Sequence, residues 1–371
     1  MRITLGPLLV ALPLLSQITA CGGVETSTPA STSGAITGAG GAASTSSGSG
    51  GAGGISSTSA SVTVGAGGGA ASSSASSASS SAGTTTASGS SANSSSGSGG
   101  PPPPPLCATD LSVGHHAFAC NGGITYDVEI PSACAAPGCG FIVDIHGFTM
   151  NADLENKGSQ MQALGKKNSY IVVQPTAPGF PASWDQATHA PLVFAFVQGL
   201  AGALGADPKR IHVMGFSQGG GMTWRLLCEH AAFFASASPL GGLAGCEFSG
   251  ANAPSQEIPI LQVHGRKDAV VSFPNIAIPQ RDAALAYWMN GPGVVLEDDG
   301  MHKATRYVTA AGTRFELWEH DYVAGSFILG GHCFPGGTDV GASPFQFGCA
   351  EPGTFIYGEL AMQFFLDHPK P

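Results

Sequence analysis

Short, continuous apolar runs recur through the last two thirds of the chain. They span 140–147, 170–175, 210–217, 258–265 and 313–320. Apolar runs without alternation are typical of strands that are buried on both faces of a parallel sheet. The segment ITYDVEIP at 124–131 alternates apolar and polar positions instead, and this alternation predicts an early edge strand.

Helical patterns lie between these runs. They cover 153–168, 189–205, 220–235 and 279–291. Strands that alternate with helices imply right-handed crossovers and an open, mostly parallel, doubly wound α/β sheet. In such sheets, sites form at the carboxyl ends of the strands.

The N-terminus predicts an export signal. Met1–Ala20 has Arg2, then an apolar run that is shorter than the roughly 20 residues of a membrane-spanning helix, then small residues. The segment ITAC, which ends at Cys21, resembles the lipobox of bacterial lipoproteins. It implies that Cys21 is acylated and becomes the mature N-terminus. The alternative is ordinary cleavage near Ala20.

Residues 21–105 predict a disordered tether. After Cys21 the segment consists mainly of Ser, Gly, Ala and Thr, has no aromatic residue and only one charge, Glu25, and ends in five prolines. Such a composition buries too little apolar surface to offset chain entropy. The tether has a mean reach of roughly 50 Å. A folded repeat domain is the alternative. The folded part is then a single domain over 106–371.

Charge and motifs restrict the possible partners. The net charge of −10 falls on the folded part, since only Arg2 and Glu25 lie outside it. No basic cluster is present, which argues against nucleic-acid binding. The sequence contains no Walker motif, dinucleotide fingerprint or metal signature, so no cofactor and no metal are expected.

The cysteines predict disulfides. Without Cys21, eight of the nine cysteines remain, and all can pair in an oxidising compartment. A metal site is the alternative, but no pair has CxxC spacing. Proximity in sequence suggests Cys107–Cys120, Cys134–Cys139, Cys228–Cys246 and Cys333–Cys349.

A candidate nucleophile lies at the end of the 210–217 run. Gly215-Phe216-Ser217-Gln218-Gly219 matches G-x-S-x-G between a predicted strand and a predicted helix. The glycines leave room for a sharp turn that exposes the hydroxyl of Ser217, and the helix N-terminus favours negative charge nearby. The alternative is that Ser217 only caps the helix.

A serine nucleophile needs a base that is oriented by a carboxylate. In chain order the acid follows the serine, and Asp268 lies in the loop after the 258–265 run. The alternative for Asp268 is a simple turn residue. Asp282 falls in a predicted helix, and Asp298 and Asp299 fall in an acidic turn, so they fit less well.

The base is expected after the last predicted strand. His332 lies in the Gly-rich loop LGGHCFPGG, which can reach across the sheet. His320, at the end of that strand, is the competitor. His302 precedes the strand and is interpreted as a surface residue.

Two backbone N–H groups should stabilise an oxyanion. One belongs to Gln218, directly after the serine, and the other to Phe148 in the loop after the 140–147 run. His146 is interpreted as a support for that loop. The adjacent His115 and His116 are interpreted as a solvated turn rather than a metal site.

These residues resemble a known family. Segments 207–230 and 258–271 and the motif GGHCFPGG are similar to the secreted polyhydroxybutyrate depolymerase and feruloyl esterase group of α/β-hydrolases, whose relatives include acetylxylan esterases. The resemblance implies an α/β-hydrolase fold with the triad Ser217, Asp268 and His332. The segment before His332 is longer than in the family. Cys333-Phe334 replaces the usual Thr-Trp, which implies that a disulfide holds the histidine loop.

Together with the signal peptide and the lipobox at Cys21, the resemblance implies an exported, lipid-anchored serine esterase. Its expected substrates are feruloyl or acetyl esters of plant polysaccharide, or polyhydroxyalkanoate oligomers, and its only membrane contact is the N-terminal anchor. Trp184 and Phe334 are expected at the acyl pocket, although a core position is the alternative for Trp184. A serine peptidase and a catalytically silent surface binding protein are the alternative functions.

Overall fold

The computed structural model describes residues 105–250, 253–337, 340–350 and 353–371. The predicted signal peptide, Cys21 and the tether up to residue 104 lie outside the described residues. Within the described ranges, every helix is too short or too polar to cross a bilayer.

A ten-stranded sheet forms the centre of the molecule, in the order β1-β2-β4-β3-β5-β6-β7-β10-β9-β8. Six neighbouring strands, from β4 to β10 in this order, run parallel, and antiparallel strands complete both edges. The strands are β1 (Gly114–Ala119), β2 (Thr125–Ile130), β3 (Gly140–Ile145), β4 (Tyr170–Thr176), β5 (Ile211–Phe216), β6 (Ser236–Leu240), β7 (Ile260–Gly265), β8 (Val294–Asp298), β9 (His302–Val308) and β10 (Arg314–His320). A separate two-stranded ribbon consists of β11 (Gly341–Ala342) and β12 (Phe345–Gln346).

Helices cover both faces of the sheet. They are α1 (Ala152–Ser159), α2 (Met161–Asn168), α3 (Gln186–Ala203), α4 (Gln218–His230), α5 (Ile278–Tyr287) and α6 (Tyr357–Asp367). One apolar core lies between the sheet and α3, α4 and α5, and includes Phe196 and Trp224. The other lies under α1, α2 and α6, and includes Met161 and Phe365. All residues of β3, β5 and β7 are buried, because these central strands have helices on both faces.

This architecture is an α/β-hydrolase fold. It confirms the α/β prediction and all five apolar runs as strands. The prediction of an edge strand at 124–131 is wrong, because β1 pairs antiparallel with β2 along its whole length and is itself the edge. The predicted helix over 153–168 is broken at Gln160, which has a left-handed φ of 57° and separates α1 from α2.

Four disulfides cross-link the domain, and their pairing is the one that sequence proximity suggested. They join Cys107 to Cys120, Cys134 to Cys139, Cys228 to Cys246, and Cys333 to Cys349. The last bond ties the residue after His332 to the segment that follows β12.

Candidate active site

Ser217 lies on a strained turn between β5 and α4. Its φ of 56° and ψ of −115° are values that side-chain-bearing residues rarely adopt and that cost on the order of 1–3 kcal/mol. The turn presses α4 against β3: a Cβ on Gly215 would lie 2.5 Å from the carbonyl oxygen of Ile145, and one on Gly219 would collide with the same oxygen. Both glycines of the motif are therefore required. Ser217 makes no side-chain capping hydrogen bond, so helix capping does not explain it.

The loop after β3 runs beside this turn. A Cβ on Gly147 would lie 3.1 Å from the Cβ of Ser217. Thr149 has a φ of 67°, and its N–H donates to Ala182 O at 2.9 Å. Among the described residues, neither the N–H of Phe148 nor that of Gln218 donates to a protein acceptor. Two unpaired donors thus flank Ser217, where the sequence predicts an oxyanion hole.

His146 supports this loop. Its Nδ1–H donates to Gly147 O at 2.6 Å, and its Nε2 accepts the Ala177 N–H at 2.9 Å. Burial lowers the pKa of His146 to about 4, so the ring stays neutral and keeps both bonds at neutral pH. His146 therefore supports the loop after β3, and neither of its ring nitrogens is free to act as a base.

The side chain of Gln218 links the serine turn to the loop after β4. Its Oε1 accepts the N–H of Trp184 at 3.0 Å. Trp184 is only 5% exposed, and its indole N–H donates to His146 O at 2.8 Å. The indole of Trp184 therefore supports the oxyanion loop, as the core alternative expects, and its substrate contact stays a prediction.

Asp268 lies just beyond the end of β7. Its Oδ1 accepts the N–H groups of Val270 and Val271 at 2.8 and 2.7 Å. Its Oδ2 accepts the Nδ1–H of His332 at 2.6 Å and lies 3.3 Å from His264 Nε2. The carboxylate is thus fixed by donors on both oxygens.

Burial alone would raise the pKa of Asp268, but His332 and His264 outweigh burial and bring this pKa well below its usual range. Asp268 is therefore ionised at neutral pH. An ionised acceptor at Nδ1 holds the proton on that nitrogen and leaves Nε2 free to act as a base.

The loop that carries His332 is bonded to the loop that carries Asp268. Gly331 N–H donates to Lys267 O at 2.9 Å, and Ala269 N–H donates to Leu329 O at 3.2 Å. These bonds fix the acid and the histidine relative to each other without relying on their side chains.

The histidine also lies beside the serine turn. The ring of His332 packs on Phe216, the residue before Ser217, with centroids 4.5 Å apart. Ser217 N–H donates to Leu240 O at 2.9 Å, and a Cβ on the next residue, Gly241, would lie 3.3 Å from His332 Nδ1. No hydrogen bond joins Ser217 Oγ to His332 in this conformation, although such bonds often form only when substrate binds.

The competing acids lie elsewhere. Asp282 is an exposed residue of α5 that pairs with Arg281 at 2.7 Å. Asp298 ends β8, and Asp299 binds the N–H and the ring of His302 in the β8–β9 turn. None of the three hydrogen-bonds to His332.

The competing histidines have other surroundings. His320 is fully buried, and neither of its ring nitrogens has a partner. The prediction that His302 is a surface residue is wrong: it is buried in β9, where its ring binds Glu297 at 2.9 Å and Thr354 at 2.7 Å. His115 and His116 belong to strand β1 rather than to a turn. The described residues contain no cluster of three metal-binding side chains.

The pocket prediction for Phe334 is not supported by its position. It is 0% exposed and packs on Phe216 at 4.3 Å and on Tyr357 at 6.2 Å between centroids. It therefore supports the serine turn from the core and does not line a substrate surface.

Sequence reasoning missed two groups near the site. His264 lies four residues before Asp268 and contacts its carboxylate. The short spacing of the two residues at the end of a strand was the signal that could have predicted this contact.

Asp144 and Glu155 are both fully buried between β3 and α1. Asp144 Oδ2 accepts from Ser159 and Gln174 at 2.6 and 2.7 Å, and burial raises the pKa of Glu155 well above its usual value. Glu155 is therefore held as the neutral acid against Asp144.

Two surface clefts lie away from these residues. One is lined mainly by residues 111–113, 134–137 and 203–204. The other is lined mainly by residues 105–107, 120–121 and 195–196. Neither cleft contains a nucleophile with a base, whereas Ser217, His332 and Asp268 lie together at the carboxyl ends of the central strands.

Comparisons with known proteins give partial matches. No protein-family model matches the chain. It is 24% identical over 143 residues to a bifunctional acetylxylan esterase/xylanase of Neocallimastix patriciarum, covering 38% of this chain and 21% of that protein. It is 25% identical over 175 residues to acetylxylan esterase A of Aspergillus ficuum, covering 44% and 54%. It is 32% identical over 120 residues to a probable feruloyl esterase C of Aspergillus niger, covering 31% and 41%.

Among solved structures, an acetyl xylan esterase from Aspergillus awamori aligns with a TM-score of 0.47 at 16% identity, over 55% of this chain and 92% of that chain. The chain spans between about a fifth and about half of the length of the curated relatives it matches.

Proposed function

We propose that this protein is a serine carboxylic-ester hydrolase with Ser217 as nucleophile, His332 as general base and Asp268 as the orienting acid. The observation that carries the proposal is the 2.6 Å bond between Asp268 Oδ2 and His332 Nδ1, made beside a strained serine turn. The matched relatives, which are named as acetylxylan and feruloyl esterases, support the same class of reaction.

The proposed reaction has two halves. Ser217 Oγ attacks the ester carbonyl carbon while His332 Nε2 takes the hydroxyl proton. The carbonyl oxygen becomes an oxyanion that accepts the N–H groups of Phe148 and Gln218. Collapse breaks the bond to the alcohol, which leaves with the proton from His332, and an acyl group remains on Ser217. Water, deprotonated by His332, then releases the acid and restores the serine.

The buried surroundings favour this chemistry. Ser217 is 6% exposed and His332 is 2% exposed, so water is largely excluded and the electrostatic interactions are strong. No step of this mechanism calls for a cofactor or a metal.

We further propose that the protein acts outside the cytoplasm on esters of extracellular polymers or of their fragments. The four disulfides support an oxidising compartment. Acylation of Cys21 and the tether over 21–105 remain predictions from the sequence. Feruloyl or acetyl esters of plant polysaccharide and polyhydroxyalkanoate oligomers are the substrate classes to test.

The test is hydrolysis of p-nitrophenyl acetate by the wild type and by Ser217→Ala. The wild type should turn over, and the variant should lose several orders of magnitude in kcat while its thermal unfolding stays unchanged. Methyl ferulate, acetylated xylan, hydroxybutyrate oligomers and a peptide amide then rank the substrates. Failure of the wild type on every ester, or full activity of Ser217→Ala, would overturn the proposal.

A further inference from the structure

Two buried carboxyl groups join the two ends of the oxyanion loop, residues 146–151, which connects β3 to α1. Asp144 lies on β3 just before this loop, and Glu155 lies in the first turn of α1 just after it. Both residues are 0% exposed, and their carboxyl groups contact each other. The pair therefore links strand to helix at the base of the loop that carries Phe148.

The donors around the pair decide which carboxyl group carries a proton. Asp144 Oδ2 accepts hydrogen bonds from Ser159 and Gln174 at 2.6 and 2.7 Å, and such bonds favour the carboxylate. Neither oxygen of Glu155 has another donor among the described residues, and a buried charge without a donor or a cation is strongly unfavourable. The proton therefore lies on Glu155, whose hydroxyl donates to Asp144.

The groups that face Glu155 come from the elements packed against α1, which are β3, β4 and α6. Strand β3 contributes Asp144, and β4 contributes the amide of Gln174. Helix α6 contributes Tyr357, whose phenol stays neutral because burial raises its pKa well above the usual 10. Residues 334–337, which also pack on α1, have no ionisable side chain. None of these neighbours carries a positive charge.

Helix α1 itself supplies no counter-charge to the pair. Its one cation, Lys157, pairs with the exposed Asp153 at 2.8 Å, and no ion pair among the described residues reaches Asp144 or Glu155. Ionisation of Glu155 would therefore set two like charges side by side in the core, where no cation opposes their repulsion.

A shift of α1 would reach both halves of the candidate site. Asn151 Oδ1 accepts the N–H of Leu154 at 2.9 Å, so the end of the oxyanion loop moves with the helix. Near the other end of α1, a Cβ on Gly158 would lie 2.7 Å from the ring of Phe334. Phe334 in turn packs on Phe216, the residue before the serine, with centroids 4.3 Å apart. The position of α1 thus affects the oxyanion loop directly and the serine turn through one side chain.

We propose that Glu155 is a positioning residue, whose neutral carboxyl group donates a hydrogen bond to Asp144, fixes α1 against β3 and so holds the N–H of Phe148 in the oxyanion hole. The effect on rate rests on the proposed function. When Glu155 ionises, repulsion from Asp144 loosens α1, and oxyanion stabilisation is lost while the bond between Asp268 and His332 remains.

The proposal gives the reaction an upper pH limit that comes from the scaffold. Burial and Asp144 raise the pKa of Glu155 well above its ordinary 4.5. The link is therefore present while pH is low and is lost as pH rises through the raised pKa, which belongs to the pair as a unit. Beyond its maximum, kcat should fall as pH rises, with a smaller change in KM, because the lost contact acts on the oxyanion.

The test compares the pH dependence of p-nitrophenyl acetate hydrolysis in the full-length wild type and three variants. Glu155→Gln keeps an N–H donor but cannot ionise, and Glu155→Leu removes the donor. Asp153→Asn removes an exposed carboxylate from the same helix and is the matched control. Ser217→Ala supplies the rate of spontaneous hydrolysis at each pH. Circular dichroism of the same samples gives the folded fraction, so that kcat is expressed per folded molecule.

The alkaline fall in kcat should appear in the wild type and in Asp153→Asn and be absent from Glu155→Gln. Loss of a whole oxyanion donor costs about 10²–10³-fold in kcat, so Glu155→Leu, which only loosens one, should lose about tenfold at every pH. An alkaline fall that is equal in the wild type and Glu155→Gln, or that tracks the folded fraction, overturns the proposal. So does an equal loss of kcat in Glu155→Gln and Glu155→Leu, since only the first keeps the donor.

Hydrogen–deuterium exchange tests the same link without turnover. Peptides that cover residues 146–160 are compared between the wild type and Glu155→Gln at the same pH, so that the intrinsic exchange rate cancels. Protection should match at weakly acidic pH and become about tenfold lower in the wild type at alkaline pH, while peptides from β7 do not differ. Equal protection of residues 146–160 at every pH contradicts the positioning role.

The two arms separate this inference from the proposed function. A wild type that hydrolyses no p-nitrophenyl acetate at any pH would refute the proposed esterase, while the exchange measurement would still decide whether Glu155 holds α1 against β3. Normal hydrolysis together with equal exchange in the two proteins would leave the esterase standing and refute the role of Glu155.

Discussion

Removal of the Cys333–Cys349 disulfide should impair catalysis as well as stability. Cys333 directly follows His332 and is 1% exposed. Substitution is a cleaner perturbation than a reductant, because it removes this bond and leaves the other three disulfides intact. The double variant Cys333→Ala, Cys349→Ala opens a loop with a sequence separation of 16. A loop of about 15 residues corresponds to about 3 kcal/mol in the chain-entropy treatment, and a loss of that size lowers the Tm by roughly 6–12 °C.

The catalytic effect should exceed what this stability loss explains. Two backbone bonds remain between the joined segments: Phe334 N–H to Phe347 O at 2.8 Å and Cys349 N–H to Phe334 O at 3.1 Å. These bonds keep the loop folded but leave it freer to shift. Since a displacement of about 1 Å can cost about a hundredfold in rate, we expect kcat to fall by about tenfold or more, with a smaller rise in KM.

The matched control is Cys107→Ala with Cys120→Ala. This bond has a separation of 13, so its loss should destabilise the fold by a similar amount, but it joins the far edge of the sheet at β1. Ester hydrolysis per folded molecule is measured well below both Tm values. If both double variants lower the Tm and both keep the wild-type kcat, the disulfide beside His332 only stabilises the fold and the positioning argument is wrong.

Two further predictions concern buried titratable groups. Burial holds the pKa of Glu155 well above its ordinary 4.5, so the wild type should lose stability as pH rises from that value. Glu155→Gln should remove this loss in urea unfolding. Parallel pH dependences of the two proteins would contradict a neutral Glu155 beside Asp144. Burial likewise lowers the pKa of His320 to about 3 from its ordinary 6.5, so stability should fall as pH falls through that window. His320→Leu should reduce this acid loss while keeping ester hydrolysis; a large drop in kcat would make His320 the better candidate for the base.

The fold was predictable where local pattern and burial agree. The central strands β3, β5 and β7 are apolar on both faces and were identified from the sequence. Strand β6 has the sequence SASPL and is just as buried, but its serines and proline do not distinguish it from a loop. Strand β6 is held by its pairing with β5 on one side and with β7 on the other. These pairings form only in the tertiary structure. Strand β8 is exposed along its whole length, so burial gave no signal for it either.

The site residues were likewise predictable where the signal is local, and less so where it depends on a long-range contact. The glycine spacing around Ser217 is a local requirement and is visible in the sequence. The contact between Asp268 and His332 spans 64 residues and could be inferred only from chain order and resemblance. Phe334 was misassigned because an aromatic residue beside a candidate base has the same sequence signal whether it faces substrate or the core.

Reaction with the organophosphate diethyl p-nitrophenyl phosphate tests the central claim most directly, since it traps an activated serine without requiring the natural substrate. Intact-mass and peptide mass spectrometry should find one diethylphosphoryl group per chain, on Ser217, with loss of ester hydrolysis in step with labelling. Ser217→Ala should remain unlabelled, and His332→Ala should label more slowly by orders of magnitude because the base is missing. Labelling at another residue, or hydrolysis that persists after Ser217 is fully modified, would contradict the account.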